Sequence, residues 1–177
     1  MTHRKGLIHI YCGDGKGKTS AAIGLALRAA GRGRKILIVR FLKTDDSGEV
    51  PVLGRIPGIR VMPCERTFGF ASRMSPEQKK EAADYYSSRF AWACREAEEG
   101  DYDMLLLDEI LAACRYGLVR EAAVVHFLQN RPEKLETVLT GRDPSAALVA
   151  LADYVSEIRM QKHPFTRGVG AREGIEY

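Results

Sequence analysis

Residues 7–30 restrict the fold of this chain more than any other stretch. An apolar run of strand length, Leu7-Ile8-His9-Ile10-Tyr11-Cys12, breaks into Gly13-Asp14-Gly15-Lys16-Gly17-Lys18-Thr19-Ser20 and then into the helix-like Ala21-Ala22-Ile23-Gly24-Leu25-Ala26-Leu27. Strand, glycine loop, Lys-Thr and helix, in that order, is the layout of a phosphate-binding loop. Glycines let the backbone turn several N–H groups toward one anionic centre. The helix adds its positive N-terminal end, and Lys18 adds a mobile full charge. Thr19 offers a hydroxyl to the magnesium that accompanies a nucleotide triphosphate. The usual pattern has a glycine five residues before Gly17, where this chain has Cys12; Gly13 follows one place later. A glycine-rich turn with no ligand is the competing account, and Gly-Lys-Thr between strand and helix favours phosphate.

Strand-length and helix-length patterns then alternate. Thr19 to Ala30 is apolar almost all round and is expected to be a buried helix, stopped by Gly31 and Gly33. Lys35 to Phe41 is a continuously apolar, β-branched run, as in a parallel sheet covered on both faces. Residues 42–58 are rich in turn formers, and Ile59-Arg60-Val61-Met62 is a short strand. Ser75-Pro76-Glu77-Gln78 predicts a helix start with a capping box, and Ala82, Tyr86, Phe90, Ala93 and Ala97 predict its buried face up to Gly100. Trp92, beside that stripe, is read as packing. Further patterns predict strands over 102–109, 135–139 and 153–159, and helices over 119–129 and 143–152, the last opened by Asp143-Pro144. The expected fold is α/β, a three-layer sandwich with a mainly parallel central sheet, in one domain spanning 1–177. It resembles the P-loop NTPase, RecA-like, arrangement.

Three groups of residues beyond the loop are candidates for chemistry. The strand Tyr102 to Leu107 ends in Asp108-Glu109, the acidic pair a phosphate-loop protein uses to hold magnesium. The alternative for Asp108 is a helix cap. Thr140-Gly141-Arg142 closes another strand and puts a guanidinium on the ligand edge of the sheet, with a surface ion pair as the alternative. Phe68 and Phe70 sit on an irregular segment; from the residues alone, folding back into the core is favoured over a place at a pocket mouth. The glycine-rich tail with His163 reads as a docked, irregular segment or as one that reaches a ligand.

A net charge of +4 suits an anionic ligand such as ATP and falls short of a nucleic-acid footprint. No apolar run approaches the roughly 20 residues of a membrane span. Cys12, Cys64, Cys94 and Cys114 form no Cys-x-x-Cys pair, and with no secretory leader they read as reduced thiols, so the expected location is cytoplasmic.

Several stretches along nearly the whole chain resemble the ATP:corrinoid adenosyltransferases. They are Gly13 to Ala22, Leu107-Asp108-Glu109-Ile110, Thr140-Gly141-Arg142, Val155-Ser156-Glu157-Ile158-Arg159, Lys162-His163-Pro164-Phe165, and Gly168-Val169 through Gly174-Ile175-Glu176-Tyr177. The resemblance implies that reduced cobalt, as in cob(I)alamin, attacks the 5′ carbon of ATP and the whole triphosphate leaves. Gly13, Asp14, Gly15, Lys16, Gly17, Lys18, Thr19, Ser20 and Arg142 would bind ATP. Thr19, Asp108 and Glu109 would hold Mg2+, with Glu109 the direct ligand by analogy, and Lys18, Thr19 and Glu109 would be catalytic. The nucleotide would lie reversed relative to other phosphate-loop enzymes.

The same resemblance matches Phe68 and Phe70 to an aromatic pair that closes the lower face of the corrin, and so favours a ligand role for them. It also implies a homodimer and a flavoprotein electron donor. The alternative enzyme class is a small kinase or ATPase using the loop for ordinary phosphoryl transfer. Family members often carry an N-terminal extension that covers the nucleotide. Only six residues precede Leu7 here, so the lid is expected to be absent, disordered or supplied by the loop after Leu42.

Overall fold

A computed structural model describes residues 5–69 and 73–176. Six strands form one sheet: β1 (Ile8–Cys12), β2 (Ile36–Arg40), β3 (Ile59–Val61), β4 (Met104–Asp108), β5 (Glu136–Thr140) and β6 (Tyr154–Glu157). Their order is β3-β2-β4-β5-β1-β6, and every pairing is parallel. The helices are α1 (Lys18–Ala30), α2 (Val50–Leu53), α3 (Pro76–Glu99), α4 (Ile110–Arg115), α5 (Glu121–Asn130) and α6 (Ala146–Leu151).

Period-two alternation divides the buried residues between the two faces of the sheet. Leu37, Val39, Leu105, Leu107 and Leu139 pack with Ala82, Tyr86 and Phe90 of α3 and with Val124 and Phe127 of α5. Ile36, Ile38, Met104, Leu106 and Val138 pack with Ala22 and Ala26 of α1 and Leu53 of α2. This is the expected three-layer sandwich, with a sheet wholly parallel among the described residues. Because all strands run one way, the segments following β1, β2, β4, β5 and β6 leave the sheet at the same edge, where open α/β folds bind ligands.

Local signals account for α3. The Ser75 hydroxyl accepts from the Gln78 backbone N–H at 3.2 Å, and the Ser75 N–H donates to Gln78 Oε1 at 2.9 Å. All five residues of the expected stripe are buried. Trp92 is half-buried, with the Arg60 guanidinium 5.2 Å from its ring centroid, in agreement with a packing role.

Two expectations need correction, and α4 is a helix the sequence pattern does not predict. Helix α1 is not buried all round: only Lys18, Ala22 and Ala26 are buried, and Leu27 is 42% exposed. One flank of the helix borders a surface groove at the ligand edge instead of a second layer. Asp143 does not cap α6; it takes a positive φ of 49° and pairs with Arg115, while the Ser145 hydroxyl accepts from the Leu148 N–H. Helix α4, too short to show a periodic pattern, begins directly after Glu109.

Candidate active site

The glycine loop between β1 and α1, the expected phosphate loop, is shaped from behind by the chain that follows β6. Gly13 has φ 104°, and a Cβ there would lie 2.4 Å from the Ile158 carbonyl oxygen. The Gly15 N–H donates to the same oxygen at 2.8 Å. The glycine displaced from its usual place is therefore required by packing against residue 158, while Cys12 is the buried end of β1. Gly17 has φ 121° with nothing within 4 Å of a Cβ, so its face is open to a ligand. It precedes α1 with no side-chain cap, leaving first-turn N–H groups available to an anion.

Lys18 is buried, and its Nζ donates to the Gly15 carbonyl at 2.8 Å. Burial pulls its ammonium below the usual lysine range, opposed chiefly by the charge of Glu109. Asp14 is turned away from the loop's open side: its Oδ1 accepts from the Met160 N–H at 2.8 Å, and that bond holds the carboxyl below its ordinary range. Lys16 and Ser20 are exposed and line the groove beside α1.

The acidic end of β4 meets this loop. Asp108 is 1% exposed and accepts from Thr19 Oγ1 at 2.8 Å, from Thr140 Oγ1 at 2.7 Å and from Lys43 Nζ at 2.7 Å. Lys43 Nζ also donates to Thr19 Oγ1 at 2.8 Å. A cation thus bridges the Thr19 hydroxyl and the Asp108 carboxylate, and Asp108 is not a helix cap. Glu109 has a left-handed backbone (φ 62°) fixed by its N–H donating to Thr140 Oγ1 at 2.8 Å. Burial, and then the Asp108 charge, push its carboxyl above the ordinary range, partly offset by Lys43, Lys18 and Arg142. Arg142 is exposed at the end of β5, forms no ion pair among the described residues, and adds its charge to Asp14, Lys18 and Glu109.

A cavity of about 790 Å³ opens beside this centre, lined by Lys43, Thr67, Gly69, Tyr86, Glu109 and Arg142 among others. Phe68, between two of those lining residues, packs on the core with ring centroids 5.6 Å from Tyr85 and 5.8 Å from Tyr86. That is the placement favoured by the residues alone. Phe70 lies outside the described residues. The loop, Thr19, Asp108, Glu109 and Arg142 are brought together as expected. Two further groups were missed. Lys43 stands at the end of a parallel strand adjacent to β4, the same positional signal that singled out Arg142. Thr140, the last residue of β5, holds both Asp108 and Glu109.

The model of the family "ATP:corrinoid adenosyltransferase BtuR/CobO/CobP" matches residues 4–177. The chain belongs to this family. It is 37% identical to the corrinoid adenosyltransferase of Escherichia coli K12 over 98% of this chain and 86% of that protein. It is 34% identical to the corrinoid adenosyltransferase CobA of Salmonella typhimurium over 98% and 86%. It is 31% identical to the corrinoid adenosyltransferase of Pseudomonas aeruginosa over 98% and 84%. Among solved structures, ATPases 2 and 3 of EssC from Geobacillus thermodenitrificans share the fold, with a TM-score of 0.50 and 11% identity over 97% of this chain and 36% of that one.

Proposed function

We propose that this family member transfers the 5′-deoxyadenosyl group of ATP to the cobalt of a reduced corrinoid, cob(I)alamin or a relative, and releases triphosphate. The single observation that carries this is the family match over residues 4–177, joined to a phosphate loop that opens on a large adjacent cavity. Cobalt(I) is itself a strong nucleophile, so no side chain has to remove a proton. Its electron pair forms the Co–C bond while the 5′ C–O bond breaks, and the triphosphate oxygen takes the bonding pair away. The chain's task is then to align the reactants and to stabilise the leaving charge.

In this reading Lys18 and the N–H groups of Gly15 to Thr19 hold the triphosphate. Thr19, Asp108 and Glu109 fit Mg2+: all three offer oxygen, the donor a hard cation takes, and Lys43 already supplies a positive charge between the first two. Bound there, the metal would neutralise charge developing on the triphosphate. Arg142 would add a mobile cation, and the segment carrying Phe68 and Phe70 would form the apolar wall against the corrin. Phosphoryl transfer would instead need a positioned hydroxyl acceptor and a base. Family membership favours adenosyl transfer over it.

A homodimer, a flavoprotein electron donor and a cytoplasmic setting belong to the same proposal. Among the described residues no helix is long and apolar enough to cross a membrane. The deciding experiment is anaerobic incubation with ATP, magnesium and chemically reduced cobalamin. Loss of the cobalt(I) absorbance with adenosylated corrinoid and tripolyphosphate as products is the expected result. ADP and phosphate without adenosylated corrinoid would overturn the proposal.

A further inference from the structure

Beyond β6 the chain folds back over the phosphate loop and encloses a second cavity, of about 440 Å³. The strand order sets most of its lining apart from that of the larger space, and the two meet at Glu176. β6 flanks β1 on one side, whereas β2 and β4, whose ends carry Lys43 and Glu109, lie on the other. The smaller cavity is basic: Lys16, Arg159, Lys162 and Arg172 line it against one carboxylate, Glu176. Lys162 has no ion-pair partner among the described residues, and Arg159 pairs with Glu157, outside the lining.

Glu176 is held as a small anion would be. Its carboxylate accepts from Lys16 Nζ at 2.7 Å, from Arg172 Nη2 at 3.0 Å and Nε at 3.1 Å, and from the Arg172 backbone N–H at 2.8 Å. Two cations and a backbone amide converging on carboxylate oxygens is also how proteins grip phosphate. Lys16 belongs to the phosphate loop, and Glu176 borders the small cavity, the groove beside α1 and the large cavity alike. A phosphate chain lying along the loop therefore meets Glu176 on Lys16, and two like charges cannot share those cations without cost. The Lys16 side chain is 48% exposed, so the pair it makes is weak enough to exchange.

We propose that this cavity is a polyphosphate site whose resident anion is Glu176, and that a triphosphate displaces that carboxylate from Lys16 and Arg172. The identity of the ligand rests on the adenosyl-transfer reading, in which triphosphate is the leaving group; the anion site itself does not. Once exchanged, Lys16 and Arg172 hold the distal phosphates, on the opposite flank of the loop from the cavity that would receive the corrin.

The test is calorimetric titration of the intact chain, without corrinoid, using inorganic tripolyphosphate in one arm and magnesium ATP in the other. Glu176→Gln removes the competing charge and is expected to tighten tripolyphosphate binding about three- to tenfold. Arg172→Ala is expected to weaken it by a similar factor, and circular dichroism checks that both variants are folded. Equal tightening for ATP means that the triphosphate occupies the cavity while still attached to adenosine. Tightening for tripolyphosphate alone means that the cavity takes only the released product. A Glu176→Gln protein that binds tripolyphosphate no better than wild type, or less well, overturns the proposal, since Glu176 then only props Lys16 in place. Because no corrinoid is present, this outcome is independent of whether adenosyl transfer occurs.

Discussion

Lys43 Nζ lies 2.7 Å from Asp108 Oδ2, so the carboxylate at the end of β4 is neutralised by a residue from the loop after β2. Asp108 is 1% exposed, and a buried carboxylate without a cation is strongly unfavourable. Lys43 therefore serves as the internal counter-charge of Asp108, in the place where the proposed magnesium would bind. Lys43→Met should cost about 2 kcal/mol of stability in urea unfolding with chelator present. Millimolar magnesium should recover part of that loss in the variant and add little to wild type. A variant as stable as wild type in chelator would show that Asp108 does not depend on Lys43.

Glu109 carries a destabilising ionised carboxylate at the place where the proposed function needs one. Burial first, and the Asp108 charge second, raise its carboxyl above the ordinary 4.5. The folded state then binds more protons than the unfolded state between 4.5 and the raised value. The stability this group confers is complete below 4.5 and is lost as pH rises through the folded-state value. Glu109→Gln should flatten that fall, so that the variant unfolds at higher urea than wild type at neutral pH while losing activity. Urea midpoints measured across pH 4 to 8 check it. A variant less stable than wild type at neutral pH would mean that the ionised carboxylate is stabilised by its cationic neighbours after all.

The groove lined by Lys18 and the large cavity beside Phe68 imply separable defects. Lys18 is buried against Gly15 and lines the groove proposed to hold the triphosphate, so Lys18→Ala should weaken ATP binding roughly ten- to a hundredfold, as expected for a lost charge-assisted bond. Phe68 packs on Tyr85 and Tyr86 beside Thr67 and Gly69, which line the large cavity. Phe68→Ala should leave ATP affinity within about twofold and raise the KM for the corrinoid. Titration of ATP into both variants, with initial rates at varied corrinoid, separates these effects. Equal nucleotide defects in the two variants would defeat the division.

What was legible in the sequence is what neighbours in the chain determine. The succession of strand, glycine loop and helix over 7–30 and the capping box of α3 are written in neighbouring residues, and both form where expected. The environment of Asp108 depends on strand order instead. Lys43 reaches it from 65 residues away and Thr140 from 32, because β2 and β5 flank β4. No local pattern encodes that adjacency. The apolar run of α1 misled for a related reason: composition shows that a helix has little polar surface but not whether one flank borders a ligand groove. Asp143-Pro144 looked like a helix start because Asp commonly caps, yet Arg115, distant in the chain, claims that carboxylate.

The glycines of the loop divide into two kinds, and substitution should separate them. Gly13 and Gly15 are fixed by the backbone at Ile158: Cβ atoms would lie 2.4 and 2.8 Å from its carbonyl oxygen. Gly13 also has φ 104°, where a side chain is strained. Gly13→Ala must therefore push the chain after β6 off the loop, at a cost of about 2–4 kcal/mol and a matching fall in Tm. That movement breaks the Asp14–Met160 bond, and rapid exchange of the Met160 amide would report it. Gly17 has no neighbour within 4 Å of a Cβ, so Gly17→Ala meets only the strain of φ 121°, about 1–3 kcal/mol. Its methyl would stand on the open face of the loop, so ATP binding should be lost in a protein whose Met160 amide stays protected. Loss of that protection in Gly17→Ala, or its retention in Gly13→Ala, would refute the assignment of the first glycine to packing and the last to the ligand.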